Sequence, residues 1–407
     1  MTNTIKTDVC ISGGGPAGLM LGLLLARAGV AVIVLEKHSD FLRDFRGDTI
    51  HPSTMEVLHE LGLLEQFLKL PHQPVHELTA QFSEERIQIA SFSKLPVKAP
   101  YIAMIPQWDF LNFLATQAHA FPKFDLLMRT EATGLIQSGG NVSGVRATGP
   151  AGDIQVEAKL TIAADGRGSK LRADAALPLI DLGAPMDVLW FRLSRTPQDT
   201  SATLGRFDAG RIFIMLNRGD YWQCAFVIPK GANEAVRRAG LEAFRSGLRP
   251  LLQIDATRAE EIRDWDQVKL LTVQVNRLTK WWLPGFLCIG DAAHAMSPVG
   301  GVGINLAVQD AVAAANILAA PLRDGTFNDS HLAQVQKRRE WPTRVTQRLQ
   351  VFLQKRIIAA TLASTRPLRP PAVLRLITSL PGIRNIPARI LGLGVKPERV
   401  APSLQTL

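Results

Sequence analysis

A chain of 407 residues, 46% of them hydrophobic and 20% charged, holds enough apolar material for a large core shared by two connected domains, which excludes a disordered or disulfide-stapled protein. Cys10, Cys224 and Cys288 form no CxxC pair; two of them sit in apolar, strand-like runs, so they read as buried thiols of a reducing compartment rather than as a bridge or a zinc site. The formal charge of +10 is concentrated at one end: residues 331–407 carry 14 Lys and Arg against Glu340 and Glu398, a net of +12, which leaves 32 basic and 34 acidic residues, a net of −2, for positions 1–330.

The chain opens with the outline of strand, turn, helix and strand. Residues 9–12 are apolar, 13–18 are glycine-rich, 19–28 have helical character and 30–35 are β-branched, a βαβ unit. Lys6 ahead of the apolar run 17–26 imitates a secretory leader, but Arg27 interrupts the run and Gly29 separates it from the next strand. No uncharged stretch there is long enough to cross a bilayer, and a cytoplasmic location is expected. His51-Pro52-Ser53 starts a helix that Gly62 stops. Residues 75–103 alternate as strands, and the spacing of Phe110, Leu111, Leu114 and Ala118 predicts a helix over 107–119.

A short apolar strand over 160–164 ends at Asp165-Gly166. Beyond about 180 the pattern becomes long alternating runs, including 188–193 and a hairpin, 211–216 and 222–228, around Arg218-Gly219-Asp220. A further apolar strand over 286–289 leads into Gly290-Asp291-Ala292-Ala293-His294-Ala295-Met296-Ser297-Pro298-Val299-Gly300-Gly301-Val302-Gly303-Ile304-Asn305, and 306–319 continues as a helix. The tail, 331–407, begins as a basic helix and is broken by Pro367, Pro370, Pro371, Pro381 and Pro387.

Two glycine-rich turns carry the chemistry. Gly13-Gly14-Gly15-Pro16-Ala17-Gly18 fits GxGxxG: Gly13 for the tight turn, Gly15 for close approach of a pyrophosphate, and Gly18 for close contact of helix and strand. Glu36, ending the second strand, is placed to hold ribose hydroxyls, with Lys37 beside it a solvated charge or a further contact. The second turn puts the carboxylate of Asp291 and a run of glycines just before a helix, whose positive dipole end favours an electron-rich ligand. His294 in this setting reads as a structural histidine of the loop, and His51 as the end of a turn before a helix.

Arg46 with Gly47-Asp48-Thr49, Asp165-Gly166-Arg167-Gly168-Ser169-Lys170-Leu171-Arg172, and the Gly290-Asp291 segment stand in the order and spacing of the flavin-dependent aromatic hydroxylases. Together with the N-terminal fingerprint, they make the chain resemble group A FAD monooxygenases of the p-hydroxybenzoate hydroxylase fold over about residues 5–330. The resemblance implies an α/β fold: a three-layer Rossmann-like (GR2-type) FAD-binding domain from 1–74, 104–178 and 276–330, an inserted, mainly β substrate domain from 75–103 and 179–275, and a helical C-terminal segment, 331–407. It further implies that Gly13, Gly14, Gly15, Pro16, Ala17 and Gly18 hold the pyrophosphate and Glu36 the adenosine ribose, with Arg46 and Gln107 on other parts of FAD. Asp165 is tied to FAD and the nicotinamide donor, Gly290 and Asp291 to the ribityl chain, and Gly301, Val302, Gly303, Ile304 and Asn305 to the isoalloxazine. Pro298 falls where the family places a proline beside the substrate, and Asp48 is an active-site candidate at the flavin edge.

The chemistry so implied is reduction of FAD by NAD(P)H, addition of O2 at flavin C4a, and transfer of oxygen from the hydroperoxide to a small aromatic or quinol-like substrate, with few acid or base side chains needed. Trp190, Arg192, Phe213, Met215, Tyr221, Trp222 and Phe226 are the candidates for the substrate wall, and strand alternation lets only half of them face it. Other flavoenzymes of the superfamily, a prenyl reductase or a halogenase, are the first alternatives. The Trp-x-Trp-x-Ile-Pro of halogenases finds only Cys224-Ala225-Phe226-Val227-Ile228-Pro229 here, without either tryptophan. No metal site is expected. The basic tail has two readings: arginines solvating helices folded on the body, or a peripheral contact with an anionic membrane. With Trp341 and Phe352 its only aromatics, it does not suit nucleic acid. Monomer and homodimer are both compatible with the sequence.

Overall fold

The computed structural model describes residues 3–42, 49–200, 203–370 and 385–405. In chain order the elements that build the site are β1 (Asn3–Ser12), α1 (Pro16–Arg27), β2 (Val32–Glu36), α2 (Pro52–Glu60), α3 (Gln107–Ala118), β3 (Gly152–Ala163), β4 (Met186–Ser194), β5 (Arg211–Asn217), β6 (Tyr221–Pro229), β7 (Phe286–Cys288), α4 (Gly303–Arg323) and α5 (Asp329–Leu353).

The principal sheet has the order Trp282–Leu283, β7, β3, β1, β2, Phe124–Met128, and every pairing from β7 to Phe124–Met128 is parallel. Its central strands are apolar, and α1 and α4, packed on each other, join them in one core. Val9, Ile11, Val34 and Ile162 are buried with Leu24, Val308 and Val312 in one core, as expected for a parallel sheet with covered faces. The three cysteines are buried and free, and burial pushes the Cys10 thiol up to about 12.

β1 starts at Asn3 rather than at Val9, because Asn3 to Thr7 run in register with Ile154 to Ala158 of β3. That half of β3 also carries a meander, Glu131–Ser138 and Asn141–Gly149. The second sheet is mostly antiparallel, in the order Lys269–Leu271, β4, β6, β5, Leu204–Asp208, Glu77–Phe82, Glu85–Ser91. Helices Asn233–Ala239 and Leu241–Leu248 cover one of its faces, giving a core around Phe191, Phe213, Trp222 and Phe244. The other face contacts Val299 and Ile358, so it looks toward the glycine-rich loop ahead of α4. Among the described residues, the one helical stretch long and apolar enough to cross a membrane, Val299–Arg323, is mostly buried inside the molecule.

Candidate flavin site

Four motifs meet at the carboxyl ends of four adjacent strands. Gly13 follows β1, Glu36 ends β2, Asp165 follows β3 and Gly290-Asp291 follows β7, the edge where open parallel sheets bind ligands. The approach is close. A Cβ on Gly13, whose φ is +107°, would overlap the Ala164 carbonyl and lie 2.8 Å from the Asp165 Cα, and one on Gly18 would overlap the Gly13 carbonyl oxygen. Neither position tolerates a side chain without moving backbone. Gly15 is different, since a Cβ there meets nothing within 4 Å; the space above it is open in front of the α1 N-terminus. Pro16 takes the first turn of that helix, and Ala17 contacts the second loop: a Cβ at Gly290 would sit 3.1 Å from the Ala17 Cβ. The two oxygens of Glu36 accept from the Gly14 and His38 amides, each at 3.0 Å, while Lys37 is exposed.

Burial pushes the Asp165 carboxyl up. Its Oδ2 accepts from the Lys170 amide (3.0 Å), and its buried Oδ1 has no hydrogen-bond partner among the described residues. Asp291, partly exposed, forms an ion pair with Arg167 at 2.9 Å. Through Arg167 the Asp165 motif is thereby tied to the Gly290-Asp291 turn.

The second loop is held from outside. Asp310, fully buried on α4, accepts from the Gly290 amide (3.0 Å), from His294 Nε2 (2.6 Å) and from Arg339 Nε (2.9 Å). Burial works against its charge, but His294 and Arg339 outweigh that cost and keep the carboxyl below its usual range. Arg339 continues to Glu398 Oε1 (3.3 Å), which Arg338 also grips. His294 is oriented by Asp310 through Nε2, while its buried Nδ1 has no hydrogen-bond partner among the described residues. On α5 and the first residue after it, three buried glutamines form a ladder along the loop. Gln347 donates to the carbonyls of Asn276 and Ala295, Gln350 to those of Ser297 and Val299 while accepting from the Ser297 amide, and Gln354 to the Ser297 hydroxyl. No motif announces these side chains, which come from the segment that reads in sequence only as a basic tail.

Within the loop the Pro298 carbonyl accepts from the Gly301 amide (3.0 Å), and Gly300 and Gly301 have φ of +81° and +64°. A Cβ on Gly301 would strike Thr49, whose hydroxyl donates to the Gly301 carbonyl at 2.9 Å. Val302 precedes α4, which begins at Gly303; Ile304 and Asn305 are buried in its first turn. The Asn305 side chain accepts from Ser53 and Thr54 of α2, leaving its backbone as the group available to a ligand. His51 caps the loop from below: its Nδ1 donates to the Leu391 carbonyl (2.8 Å), and complete burial pushes its pKa down to about 4, so the ring is neutral.

A cleft of about 330 Å³ opens between the start of α3 and the second sheet, lined among others by His72, Met104, Trp108, Asp109, Arg192 and Tyr221. It is linked to the loop through Met104, which pairs with Thr49, the residue that holds Gly301. Gln107, at the start of α3 beside Trp108, belongs to the same region. Arg192 lies over the Tyr221 ring at 4.8 Å, and Trp190 is on the same face of β4, in the cluster that includes Val299. Phe213, Met215 and Trp222 do not line this space. They point to the opposite face and pack with Phe244, Leu248 and Ile262 beneath the helices, as does Phe226, whose ring meets Phe244 at 5.7 Å. The physical reason is that β5 is apolar on both faces, so its pattern cannot say which face meets the loop. Sequence reasoning misses Trp108 and His72, although Trp108 follows a predicted FAD contact. Arg46 and Asp48 lie outside the described residues.

These features fit a dinucleotide flavin: an open cradle at Gly15, an unpartnered buried carboxylate oxygen at Asp165, a second carboxylate at Asp291, and a helix N-terminus at Gly303 behind loop glycines that leave backbone exposed.

Comparison with known proteins agrees. A family model described as an FAD binding domain matches residues 6–349. The 6-methylpretetramide 4-monooxygenase of Streptomyces rimosus is 33% identical over 390 residues, covering 94% of this chain and 92% of that protein. Among solved structures, p-nitrophenol 4-monooxygenase from Pseudomonas putida is similar with a TM-score of 0.76 at 20% identity, over 96% of this chain and 95% of that one. Anhydrotetracycline hydroxylase from Streptomyces rimosus gives 0.74 at 23% identity, over 97% and 77%. These two structural likenesses establish the shared fold.

Proposed function

Because the chain belongs to the FAD-binding-domain family of flavin-dependent aromatic monooxygenases, we propose that it hydroxylates a phenolic ring of a polycyclic aromatic compound, with NAD(P)H as electron donor and O2 as co-substrate. The observation that carries this reading is the convergence of Gly13, Glu36, Asp165 and Asp291 on one sheet edge, with the cleft of Trp108, Arg192 and Tyr221 linked through Met104 and Thr49 to the loop before α4. The relative that acts on 6-methylpretetramide supports a fused-ring substrate.

FAD, when bound, supplies the electron storage and oxygen activation. The chain's own residues do the rest. The Gly13–Gly18 turn and the α1 N-terminus would take the pyrophosphate, Glu36 the ribose, and Asp291 the ribityl hydroxyls. The amides at the start of α4 would place positive dipole density against the ring, stabilising negative charge there. Gly301 leaves the backbone bare, Pro298 borders the substrate, and the Trp190 and Arg192 face of the second sheet covers the reaction space and excludes water.

The test uses the purified protein. The expected result is a flavin absorption spectrum, NAD(P)H consumption stimulated by fused-ring phenols more than by single-ring ones, and a product one oxygen heavier. A protein that takes up no added FAD, or consumption that yields peroxide and no oxygenated product with every phenol in a one- to four-ring series, would overturn the proposal.

A further inference from the structure

The outward face of α5 has no part in the flavin site. Its inward face carries Leu332, Val335, Arg339, Gln347 and Gln350, all buried, whereas Lys337, Trp341, Arg344, Arg348, Phe352, Lys355 and Arg356 are exposed. At 3.6 residues per turn the five within α5 fall on a single arc of about 80°, and Lys355 and Arg356 stand on the π-helical turn Gln354–Ile358 that continues it. Trp341 and Phe352 are 57% and 56% exposed and lie on the arc, about 16 Å apart along the axis. Five cations flank them, and the arc contains no acidic residue. Crowding is evident where this face meets the body: burial and the nearby Arg344 and Arg348 push the Arg277 guanidinium down, with only Glu340 opposing. Glu340 also pairs with Arg344, at 3.6 Å.

Three of the tail's other basic residues are paired with carboxylates. Arg338 and Arg339 pair with Glu398, and Arg399 with Glu56 and Glu60. Five of the tail's 14 basic residues thus share one helical stripe.

We infer that this face of α5 docks the enzyme on an anionic lipid surface. The chemistry favours lipid over a polyanionic chain. Exposed Trp and Phe in the middle of a cationic stripe match the headgroup and acyl boundary, with the rings at the interface and the long Arg and Lys stems reaching the phosphates. A nucleic-acid track would be basic along its centre, and its aromatics would line a groove rather than a convex helix. Fused-ring phenols partition into bilayers, so an enzyme resting on one would meet its substrate at raised concentration. The docking claim itself needs no particular substrate.

The experiment is co-sedimentation of the FAD-loaded enzyme with vesicles of phosphatidylcholine alone or with 30% phosphatidylglycerol, at low and high salt. Binding is expected only to the anionic vesicles, reversed by salt, with a blue shift in tryptophan emission that the Trp341→Ala variant loses. Each cation near such a surface contributes roughly fivefold in partitioning. The double reversal Arg344→Glu with Arg348→Glu therefore lowers binding by more than about twentyfold, while a matched reversal on the second domain, Arg238→Glu with Lys269→Glu, leaves most of it. FAD content and thermal midpoint, unchanged in all variants, show that they fold. Equal binding to neutral vesicles, equal loss in the two reversals, or binding to duplex DNA but not to vesicles would overturn the inference. None of these outcomes bears on the oxygenase chemistry, which is read separately.

Discussion

The two glycine-rich turns of the site face each other across about one side-chain contact, yet they are held by different means. The Gly13–Gly18 turn is self-contained: its shape follows from the strand before it, the helix after it and the absence of side chains at Gly13 and Gly18. The Gly290–Asn305 loop depends on distant residues, through Asp310, Arg339, Glu398 and the Gln347, Gln350, Gln354 ladder. A nucleotide-binding turn can thus be local in the chain, whereas the surface proposed to meet the reactive ring is assembled from residues far along it. The difference predicts which substitutions disturb which half.

The largest effect is expected from Asp310→Ala. Removing this carboxylate leaves the Arg339 charge buried with only Glu398 opposite it and orphans the Gly290 amide and His294, a loss of about 3–5 kcal/mol. Urea unfolding should show it, with FAD affinity falling at the same time; a wild-type midpoint would mean that the loop is as local as the first turn.

Acid should act on the same half, with about 3 kcal/mol at stake. The folded pKa of His51 is near 4, against an ordinary 6.5. Between those values the unfolded chain binds a proton that the folded one does not, so stability is present above pH 6.5 and drains away as pH falls toward 4. His51→Gln, read by thermal unfolding across this window, should flatten the dependence; an unchanged slope would assign it to other groups.

Gly18→Ala attacks the first turn alone. Its Cβ would overlap the Gly13 carbonyl, and the strain should cost about 1–3 kcal/mol while displacing the pyrophosphate cradle, as thermal unfolding with and without FAD would show. Gln350→Ala is the counterpart on the second half, leaving the Ser297 amide and the Ser297 and Val299 carbonyls short of partners, about 1–3 kcal/mol. Raising the FAD concentration should restore Gln350→Ala more readily than Gly18→Ala.

The same contrast explains which features are legible in the amino-acid sequence. Strands around Val9 and Val34, the turn at Gly13, Glu36 at a strand end and the helix after Val302 each rest on neighbours in the chain, and each lies where the residue pattern places it. Arg339 and the glutamines act on partners about thirty to seventy residues away, with nothing local to mark them. β5 is illegible for another reason. Ile212 and Ile214 on one side and Phe213 and Met215 on the other are all apolar, so a strand covered on both faces offers no alternation, and its pattern assigns the substrate wall partly to the wrong side.

The assignment of the Gly290–Asp291 turn to flavin is tested most directly by FAD titration of Asp291→Asn, followed by flavin fluorescence. Asp291 is partly exposed and paired only with Arg167 among the described residues, so the substitution should move the thermal midpoint of the FAD-free protein by less than about 0.5 kcal/mol equivalent. FAD affinity should fall by roughly tenfold or more, the loss of a charge-assisted hydrogen bond. Wild-type affinity in a folded Asp291→Asn protein would contradict the assignment.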